Sequence, residues 1–428
     1  MLRRSKMAPL DVAWRAWGAL EEDRSIQDIA NHISRITRLK LAAPVNWPQP
    51  EGVMGQAVSR LTNTAPLLVS LHLDGIWNDV QPSRLALPPS FLGEHTPRLT
   101  ELVLEGPFIS WDSPLFRNNL TILKVRHFGN SSAYLPDCDE LIAVLGWIPN
   151  LEELELRNAV PQRPPVRTRR MTASLQRLRS FVLTGQTALN MAYLMERISF
   201  PPQAHLRLLL EDIDLTFDSL SESGAHITSS LQKVFSKADP NLFTSLVVDD
   251  GQILARGCAC PDAAKCSFLD CPSTFTQCRL LFTGDFGPLS GAIVREIVDE
   301  SLPIAGIRSL KLVSEVDPST GNCWIPAGGF ALLQNLATVT ISRPNAREFV
   351  EVFSRTNGET MSFPVLRVMQ MDGVTFDNAL FDVFRRGLQM RVEKDVRIRS
   401  LTLRCCTVKE KRLRQLQHLI LNIKCWSL

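Results

Sequence analysis

Long apolar runs are absent from this 428-residue sequence, and so are the signals of a secreted protein. No stretch approaches the roughly 20 apolar residues that a membrane-spanning helix needs. The basic start of the chain, with Arg3, Arg4 and Lys6, is not followed by the apolar core of a secretory signal peptide. We therefore expect no membrane association, and we interpret the ten cysteines as reduced thiols of a cytoplasmic or nuclear protein.

The motifs of common catalytic sites are also missing. The sequence has no glycine-rich phosphate loop, no Gly-x-Ser-x-Gly elbow, no His-Glu-x-x-His helix and no dinucleotide-binding fingerprint. Its seven histidines are scattered without a repeating acidic or cysteine neighbour. We accordingly predict no catalytic residues, no cofactor and no metal site, and we expect that the protein is not an enzyme. An active site assembled from residues far apart in sequence is the remaining alternative, and a deep pocket with convergent ionisable groups would be its mark.

Neither sign of charge is in large excess. The chain has 47 Lys and Arg against 44 Asp and Glu, which gives a formal net charge of +3. This balance argues against a dedicated nucleic-acid binder and against an acidic tail. We therefore do not expect nucleic acid to be the main partner.

One short apolar phrase is present in abundance. It consists of an apolar residue, usually leucine, with a second one three positions later and a third one two positions after that. The phrase returns along the chain at intervals of about 20 to 30 residues, which is typical of leucine-rich repeats. It begins at Ile36, Leu68, Leu99, Leu120, Leu151, Leu178, Ile307, Leu336, Leu366 and Ile398. Looser versions lie near Leu206, Phe243 and Leu280.

The phrase predicts a strand in each repeat. Leu102 and Leu104 are two positions apart and point to one face of a short strand, whereas Glu101 and Glu105 point to the other. Apolar residues at helical spacing between the strands predict helices, over residues 139–147, 230–236, 291–299, 346–354 and 377–388. The predicted fold class is α/β: a leucine-rich-repeat solenoid, or horseshoe, with a parallel sheet on the concave face and helices on the convex face.

The repeats divide the chain into three segments. Residues 1–34 are predicted to form an N-terminal segment with a capping helix, since Ile26, Ile29 and Ile33 lie on one helical stripe. Residues 35–408 are predicted to form the irregular solenoid. Residues 409–428 are predicted to form a C-terminal capping helix, because the end leucines of a solenoid need a cover.

Two irregular stretches interrupt the repeats. A cysteine-containing loop is expected at about 249–279, and its cysteines are separated by one, five, four and six residues. Structural zinc sites usually bring pairs with two to four residues between them, so we favour a plain loop over a zinc knuckle. The second stretch, 157–179, is rich in arginine and proline, and its centre must be a loop. A nucleic-acid-associated protein that uses this arginine-rich loop is the alternative function, although most such loops are only solvated.

The chain resembles the fungal F-box leucine-rich-repeat proteins, especially those of mushroom-forming fungi. The resemblance rests on short phrases spread over nearly the whole chain, namely RSKMAPL at 4–10, RITRLKL at 35–41, APLLVSLHL at 65–73, TPRLTELVL at 96–104, PNLEELEL at 149–156 and SFPPQAHL at 199–206. In that family a small helical F-box binds the adaptor of a cullin–RING ubiquitin ligase, and the repeats choose the substrate. The F-box itself is not visible in this chain, so the resemblance implies adaptor binding only if an F-box is encoded upstream.

The expected function is that of a non-catalytic protein-interaction scaffold, namely the substrate-recognition repeats of an F-box-type protein lacking its F-box. An unknown client protein is the expected partner. Strand backbones hold the outward side chains rigidly, so a partner meets a preorganised surface at little ordering cost. The predicted protein-binding residues on the concave face are His72, Asp74, Glu101, Glu105, Lys124, Arg126, Glu153, Glu155, Arg157, Lys311, Gln370 and Arg404, with Ser70, Val103 and Thr340 beside them.

Overall fold

The chain forms two compact units, Met1–Ala204 (unit 1) and His205–Leu428 (unit 2). The structure is a computed structural model, and it describes residues 8–15, 24–43, 50–75, 87–106, 109–117, 119–127, 135–159, 171–185, 188–210, 217–236, 238–239, 241–249, 252–257, 279–283, 297–313, 333–357 and 360–426. Each unit contains helices and a largely parallel sheet, which confirms the predicted α/β class.

Unit 1 alternates strands with helices and short turns. Its strands are β1 (Leu10–Arg15), β2 (Ile36–Ala43), β3 (Ser70–Gly75), β4 (Glu101–Glu105), β5 (Ile122–Arg126), β6 (Glu153–Arg157), β7 (Ala173–Ser174), β8 (Ser180–Gly185) and β9 (Ile198–Ser199). Its helices are α1 (Arg24–His32), α2 (Pro50–Arg60), α3 (Cys138–Trp147) and α4 (Ala188–Arg197). The main sheet has the order β1-β2-β3-β4-β5-β6-β8, with parallel neighbours throughout, and β7 pairs separately with β9.

The strand register of unit 1 lines up the repeated phrase. Two apolar rows cross the sheet, one of Leu39, Leu71, Leu102, Leu123, Leu154 and Phe181, the other of Leu41, Leu73, Leu104, Val125, Leu156 and Leu183. All of these side chains are buried. Burial of a leucine side chain contributes about 1.5–3 kcal/mol, so each strand that enters the rows stabilises its neighbours. The inward orientation predicted for Leu102 and Leu104 is confirmed.

Helix α3 illustrates how the segments between strands acquire their structure. The Asp137 carboxylate accepts a hydrogen bond from the Glu140 backbone N–H at 2.7 Å, and the Glu140 carboxylate accepts one from the Asp137 N–H at 3.1 Å. This capping box satisfies two amide donors at the start of the helix. Leu141, Val144 and Leu145 are buried, so the helix contributes an apolar side to the core of unit 1.

Unit 2 repeats the alternation less regularly. Its strands are β10 (His205–Leu210), β11 (Ser245–Asp249), β12 (Gln252–Arg256), β13 (Arg279–Thr283), β14 (Ser309–Leu312), β15 (Thr338–Ser342), β16 (Thr356–Asn357), β17 (Thr360–Met361), β18 (Val368–Asp372), β19 (Ser400–Arg404) and β20 (Asn422–Trp426). Its helices are α5 (Phe217–Phe235), α6 (Ala346–Phe353), α7 (Asn378–Glu393) and α8 (Glu410–Gln417). The sheet has the order β10-β13-β12-β11-β14-β15-β18-β19-β20, and β16 pairs with β17.

The centre of unit 2 departs from the expected repeat. Strand β12 runs antiparallel to both of its neighbours, β11 and β13, whereas every other pair in this sheet with an assigned register is parallel. The prediction of a loop at 249–279 is therefore wrong near its start. Gln252–Arg256 form a strand, and Ile253 and Ala255 are buried. The five cysteines from Cys258 to Cys278 lie outside the described residues.

Both end segments also differ from the prediction. Residues 10–15, assigned to the segment before the capping helix, form strand β1, where Val12 and Trp14 align with Leu39 and Leu41. The predicted C-terminal helix ends at Gln417, and strand β20 follows it. The physical reason is the same at both ends: β1 and β20 place side chains against the leucine rows of the neighbouring strand, with Ile423 beside Leu401 in β20.

The helices otherwise fall close to their predicted positions. The segments predicted at 139–147, 346–354 and 377–388 correspond to α3, α6 and α7, and the segment at 230–236 is the end of the longer α5. The segment at 291–299 lies mostly outside the described residues, and the part that is described begins a π-helical turn, Ile297–Ser301. Across the described part of the chain, every helix falls short of the length and apolar character that a membrane crossing requires.

Candidate functional site

The outward side of the unit 1 sheet, opposite the leucine rows, carries a set of charged side chains. Side chains alternate between the faces of a strand, so the residues between the leucines share this side. The register aligns Asp74, Glu105, Arg126 and Arg157 in one row across β3 to β6. We call this surface the charged face; its members are Lys40, His72, Asp74, Glu101, Glu105, Lys124, Arg126, Glu153, Glu155 and Arg157.

Arg126 is the centre of the charged face. Its Nε and Nη2 donate to the two carboxylate oxygens of Glu155 at 2.8 and 3.0 Å, and its Nη1 donates to Glu105 Oε1 at 2.5 Å. Arg157 also donates to Glu155. One guanidinium therefore joins three adjacent strands, and the bidentate geometry with Glu155 fixes its orientation.

The carboxylates of this network differ in their surroundings. Burial raises the pKa of Glu155, but the hydrogen bonds and positive charges of Arg126 and Arg157 outweigh it and hold that pKa below its ordinary value. His72 and Arg126 lower the pKa of Glu105, against the effect of burial. Burial and the negative charge of Glu105 raise the pKa of Asp74, which is only 8% exposed. The surroundings of Asp74 therefore disfavour its charged form, whereas those of Glu105 and Glu155 favour theirs.

His72, Asp74 and Glu105 come together at one end of the charged face. Each offers one ligand atom, and the three atoms lie within 4.8 Å of one another. His72 Nε2 is 3.9 Å from Glu105 Oε1, which is longer than a hydrogen bond, and Lys40 Nζ is 4.0 Å from Asp74 Oδ2. No metal site is predicted from the sequence, whereas this cluster has the composition of a divalent-cation site.

The cluster was missed because its members belong to different repeats. His72 and Asp74 occupy the two outward positions of one strand, and Glu105 occupies the second outward position of the next. A search for short metal-binding motifs cannot find such a set. The signal that could have found it was the alignment of consecutive repeats, which places Asp74 beside Glu105.

The remaining charged-face residues form more exposed contacts. Lys124 Nζ lies 2.9 Å from Glu153 Oε2, and Glu101 lies beside Ser70 in the neighbouring strand. Val103 is an apolar residue of this side, aligned between His72 and Lys124, and it is buried. The predicted binding residues of unit 1 thus form one contiguous surface.

The predicted residues of unit 2 lie on the outward side of its own sheet. Lys311, Thr340 and Gln370 align in one row across β14, β15 and β18. Gln370 Nε2 donates to Asp372 Oδ2 at 3.0 Å, and Arg404 Nε lies 3.9 Å from Asp372 Oδ1. This surface is less charged than that of unit 1, and no metal-ligand cluster is found among the described residues of unit 2.

The arginine-rich stretch divides into a described and an undescribed part. Arg157 is held in the sheet by Glu155, and Arg179 Nη1 lies 3.4 Å from Glu152 Oε2. Residues 160–170 lie outside the described residues, and the loop prediction for them stays a prediction. Among the described residues of this stretch, Arg157 and Arg179 thus each lie close to a carboxylate.

Comparison of the sequence with protein-family models and with curated proteins finds no match.

Proposed function

We propose that each unit is a run of leucine-rich-repeat coils, a solenoid of the horseshoe type, and that the chain is a non-catalytic scaffold that binds a client protein. The observation that carries the proposal is the two-sided sheet of unit 1. One side is a pair of buried leucine rows, and the other is a contiguous charged face. In a repeat architecture the outward side of such a sheet is the usual binding surface.

Preorganisation supports this role. The charged side chains emerge from adjacent parallel strands and are oriented by ion pairs, chiefly those of Arg126 with Glu155 and Glu105. A partner that binds there pays little for ordering side chains, because they are already held in place. Both signs of charge are present, so the surface favours a partner with a specific pattern of charges over a uniformly charged polymer.

The resemblance to F-box leucine-rich-repeat proteins extends the proposal. We infer that these repeats choose the substrate of an F-box-type ubiquitin ligase receptor. The adaptor of a cullin–RING ligase binds the F-box in that family, so we expect adaptor binding only from a chain that carries one. A cytoplasmic or nuclear location belongs to the same proposal and agrees with the free thiols of Cys138, Cys405, Cys406 and Cys425.

Affinity capture with matched charge reversals tests the scaffold proposal. The full chain, a Lys124→Glu variant and an Arg60→Glu variant are immobilised and exposed to a fungal lysate. Lys124 lies on the charged face, whereas Arg60 is an exposed residue at the end of helix α2. We expect the client proteins captured by the native chain to be lost with Lys124→Glu and kept with Arg60→Glu.

The result that would contradict the proposal is capture that does not depend on the charged face. If both variants retain the same proteins as the native chain, the charged face is not the binding surface. Circular dichroism of each variant before capture separates loss of binding from loss of folding.

A further inference from the structure

His72, Asp74 and Glu105 form a compact set of one imidazole nitrogen and two carboxylate oxygens on the charged face. Strand β3 presents His72 and Asp74 on the same side because they are two positions apart, and the parallel register places Glu105 of β4 beside Asp74. Neighbouring strands are about 4.8 Å apart, so the three side chains converge on one small volume. Their ligand atoms lie within 4.8 Å of one another.

Two atoms of this set have unmet hydrogen-bonding capacity. Asp74 Oδ1 and His72 Nε2 are both buried, and neither has a hydrogen-bond partner within the described part of the chain. Asp74 as a whole is 8% exposed, so water reaches its side chain poorly. A buried polar atom left without a hydrogen-bond partner is unfavourable, and a ligand that engages both atoms removes that penalty.

The neighbouring cations need not compete with a metal ion for these ligand atoms. Arg126 makes its two-pronged interaction with Glu155, so it stays paired if Glu105 turns away from it. Lys40 is about half exposed and is 4.0 Å from Asp74 Oδ2, and its flexible side chain can move into water. No cation of the described residues donates a hydrogen bond to Asp74 Oδ1 or His72 Nε2. The positive charges of Lys40 and Arg15 act on Asp74 without such a bond.

We propose that His72, Asp74 and Glu105 bind a divalent transition-metal ion of the Zn²⁺ class, with His72 Nε2, Asp74 Oδ1 and a Glu105 carboxylate oxygen as ligands. An imidazole nitrogen with two carboxylates suits Zn²⁺, Co²⁺ or Mn²⁺ better than Ca²⁺ or Mg²⁺, which prefer all-oxygen sites. Metal–ligand distances of about 2.0–2.2 Å require the three atoms to approach one another by roughly 1 Å, which side-chain rotation allows. Three protein ligands leave the remaining coordination positions open.

Such an ion would connect β3 to β4 and neutralise the adjacent carboxylates Asp74 and Glu105. Metal binding at this site does not require that a client protein be bound. The two proposals can therefore fail separately.

Metal titration of the full chain tests the inference. The chain is treated with a chelator, dialysed and titrated with Zn²⁺ by calorimetry and with Co²⁺ by absorption spectroscopy. We compare the native chain with His72→Gln and Glu105→Gln, and with the matched controls His95→Gln and Glu101→Gln. Glu101 shares the strand and side of Glu105, and His95 is an exposed histidine of unit 1.

We expect one binding event to weaken by about tenfold or more in His72→Gln and in Glu105→Gln, and to be unchanged in both controls. The Co²⁺ form of this site should show ligand-field bands without a thiolate charge-transfer band, which separates it from binding to cysteines. Zn²⁺ should also raise the melting temperature of the native chain and of the controls by mass action.

Two results would overturn the inference. One is native binding stoichiometry and affinity in both His72→Gln and Glu105→Gln. The other is a Co²⁺ spectrum that shows thiolate ligation alone. Melting temperatures measured in chelator show whether each variant is folded. If one of His72→Gln and Glu105→Gln is misfolded, metal binding by the other variant tests the inference.

Discussion

Glu155 occupies the middle of the charged face, between Arg126 and Arg157. It is 7% exposed, and both of its oxygens accept hydrogen bonds from Arg126. A carboxylate in this position organises two guanidinium groups at once. Without it, their mutual repulsion in a partly desolvated site opposes folding.

The substitution Glu155→Gln should lower the free energy of unfolding by about 1–2 kcal/mol, because Arg126 and Arg157 lose their shared negative charge in a half-buried site. Glu153→Gln is the matched control, since Glu153 is 42% exposed and pairs only with Lys124 among the contacts of the described residues. We expect the control to change the free energy by no more than about 0.5 kcal/mol. Urea denaturation of the two variants measures both values, and equal effects would contradict the central role of Glu155.

His127, next to Arg126 in sequence, adds a pH dependence to the stability of unit 1. Desolvation lowers the pKa of its buried imidazole to about 4. The unfolded chain, with an ordinary histidine pKa near 6.5, binds the proton first as the pH falls. Stability should therefore decrease as the pH falls from about 6.5 to about 4, by on the order of 2 kcal/mol.

Replacing His127 with Gln should remove this part of the pH dependence. The measurement is the urea midpoint of the native chain and of His127→Gln at several values between pH 4 and pH 7. Since acidic residues also titrate near the lower limit, the informative quantity is the difference between the two curves. Parallel curves would show that His127 does not contribute.

At the scale of elements, helix α3 owes its starting point to Asp137. Asp137→Ala removes the acceptor of the Glu140 N–H and should destabilise the chain by about 1 kcal/mol. Asp137→Asn keeps a cap acceptor and should cost much less. Thermal unfolding followed by circular dichroism compares the two variants, and an equal loss in both would mean that charge, not the cap, stabilises this end.

The strands were predictable wherever leucine or a close relative filled the repeated phrase. Strands β2 to β6 follow directly from it, because alternate apolar residues require one buried side. Strands β1 and β20 were missed because Trp14 and Cys425 stand where the phrase has leucine, although each aligns with a leucine of the next strand. The antiparallel direction of β12 was beyond prediction, since alternation predicts a strand but does not determine its direction.

In the candidate site, too, the orientation of the side chains could be predicted from the sequence, but the pairing of the residues could not. The outward residues were predicted because they lie between inward leucines, and the structure gives that orientation to Glu105 and Arg126. Their mutual contacts were not predicted, because pairing depends on the register between repeats. That His72, Asp74 and Glu105 lie together follows only from the register between β3 and β4.

At the scale of the whole molecule, the near balance of charge separates the scaffold proposal from the nucleic-acid alternative. The chain carries a formal net charge of +3, and the cations of the charged face are paired with carboxylates, as in the contacts of Arg126, Arg157 and Lys124. A nucleic-acid binder that contacts six to ten phosphates loses about 10³- to 10⁵-fold in affinity between 50 and 200 mM salt, because counterions are released on binding. Those counterions are condensed on the nucleic acid, so binding of a client protein to the paired charges of this face should depend much less on salt.

We therefore expect weak retention of the full chain on phosphocellulose and only a modest fall in client capture over the same range of salt. The measurement is elution from phosphocellulose, together with client capture on the immobilised chain, at 50, 100 and 200 mM salt. Strong retention at 50 mM that disappears by 200 mM would instead favour the arginine-rich loop at 157–179 as a nucleic-acid contact. In that event, Arg177→Glu with Arg179→Glu should abolish retention, whereas Lys124→Glu should leave it intact, because Lys124 lies on the charged face and outside the arginine-rich loop.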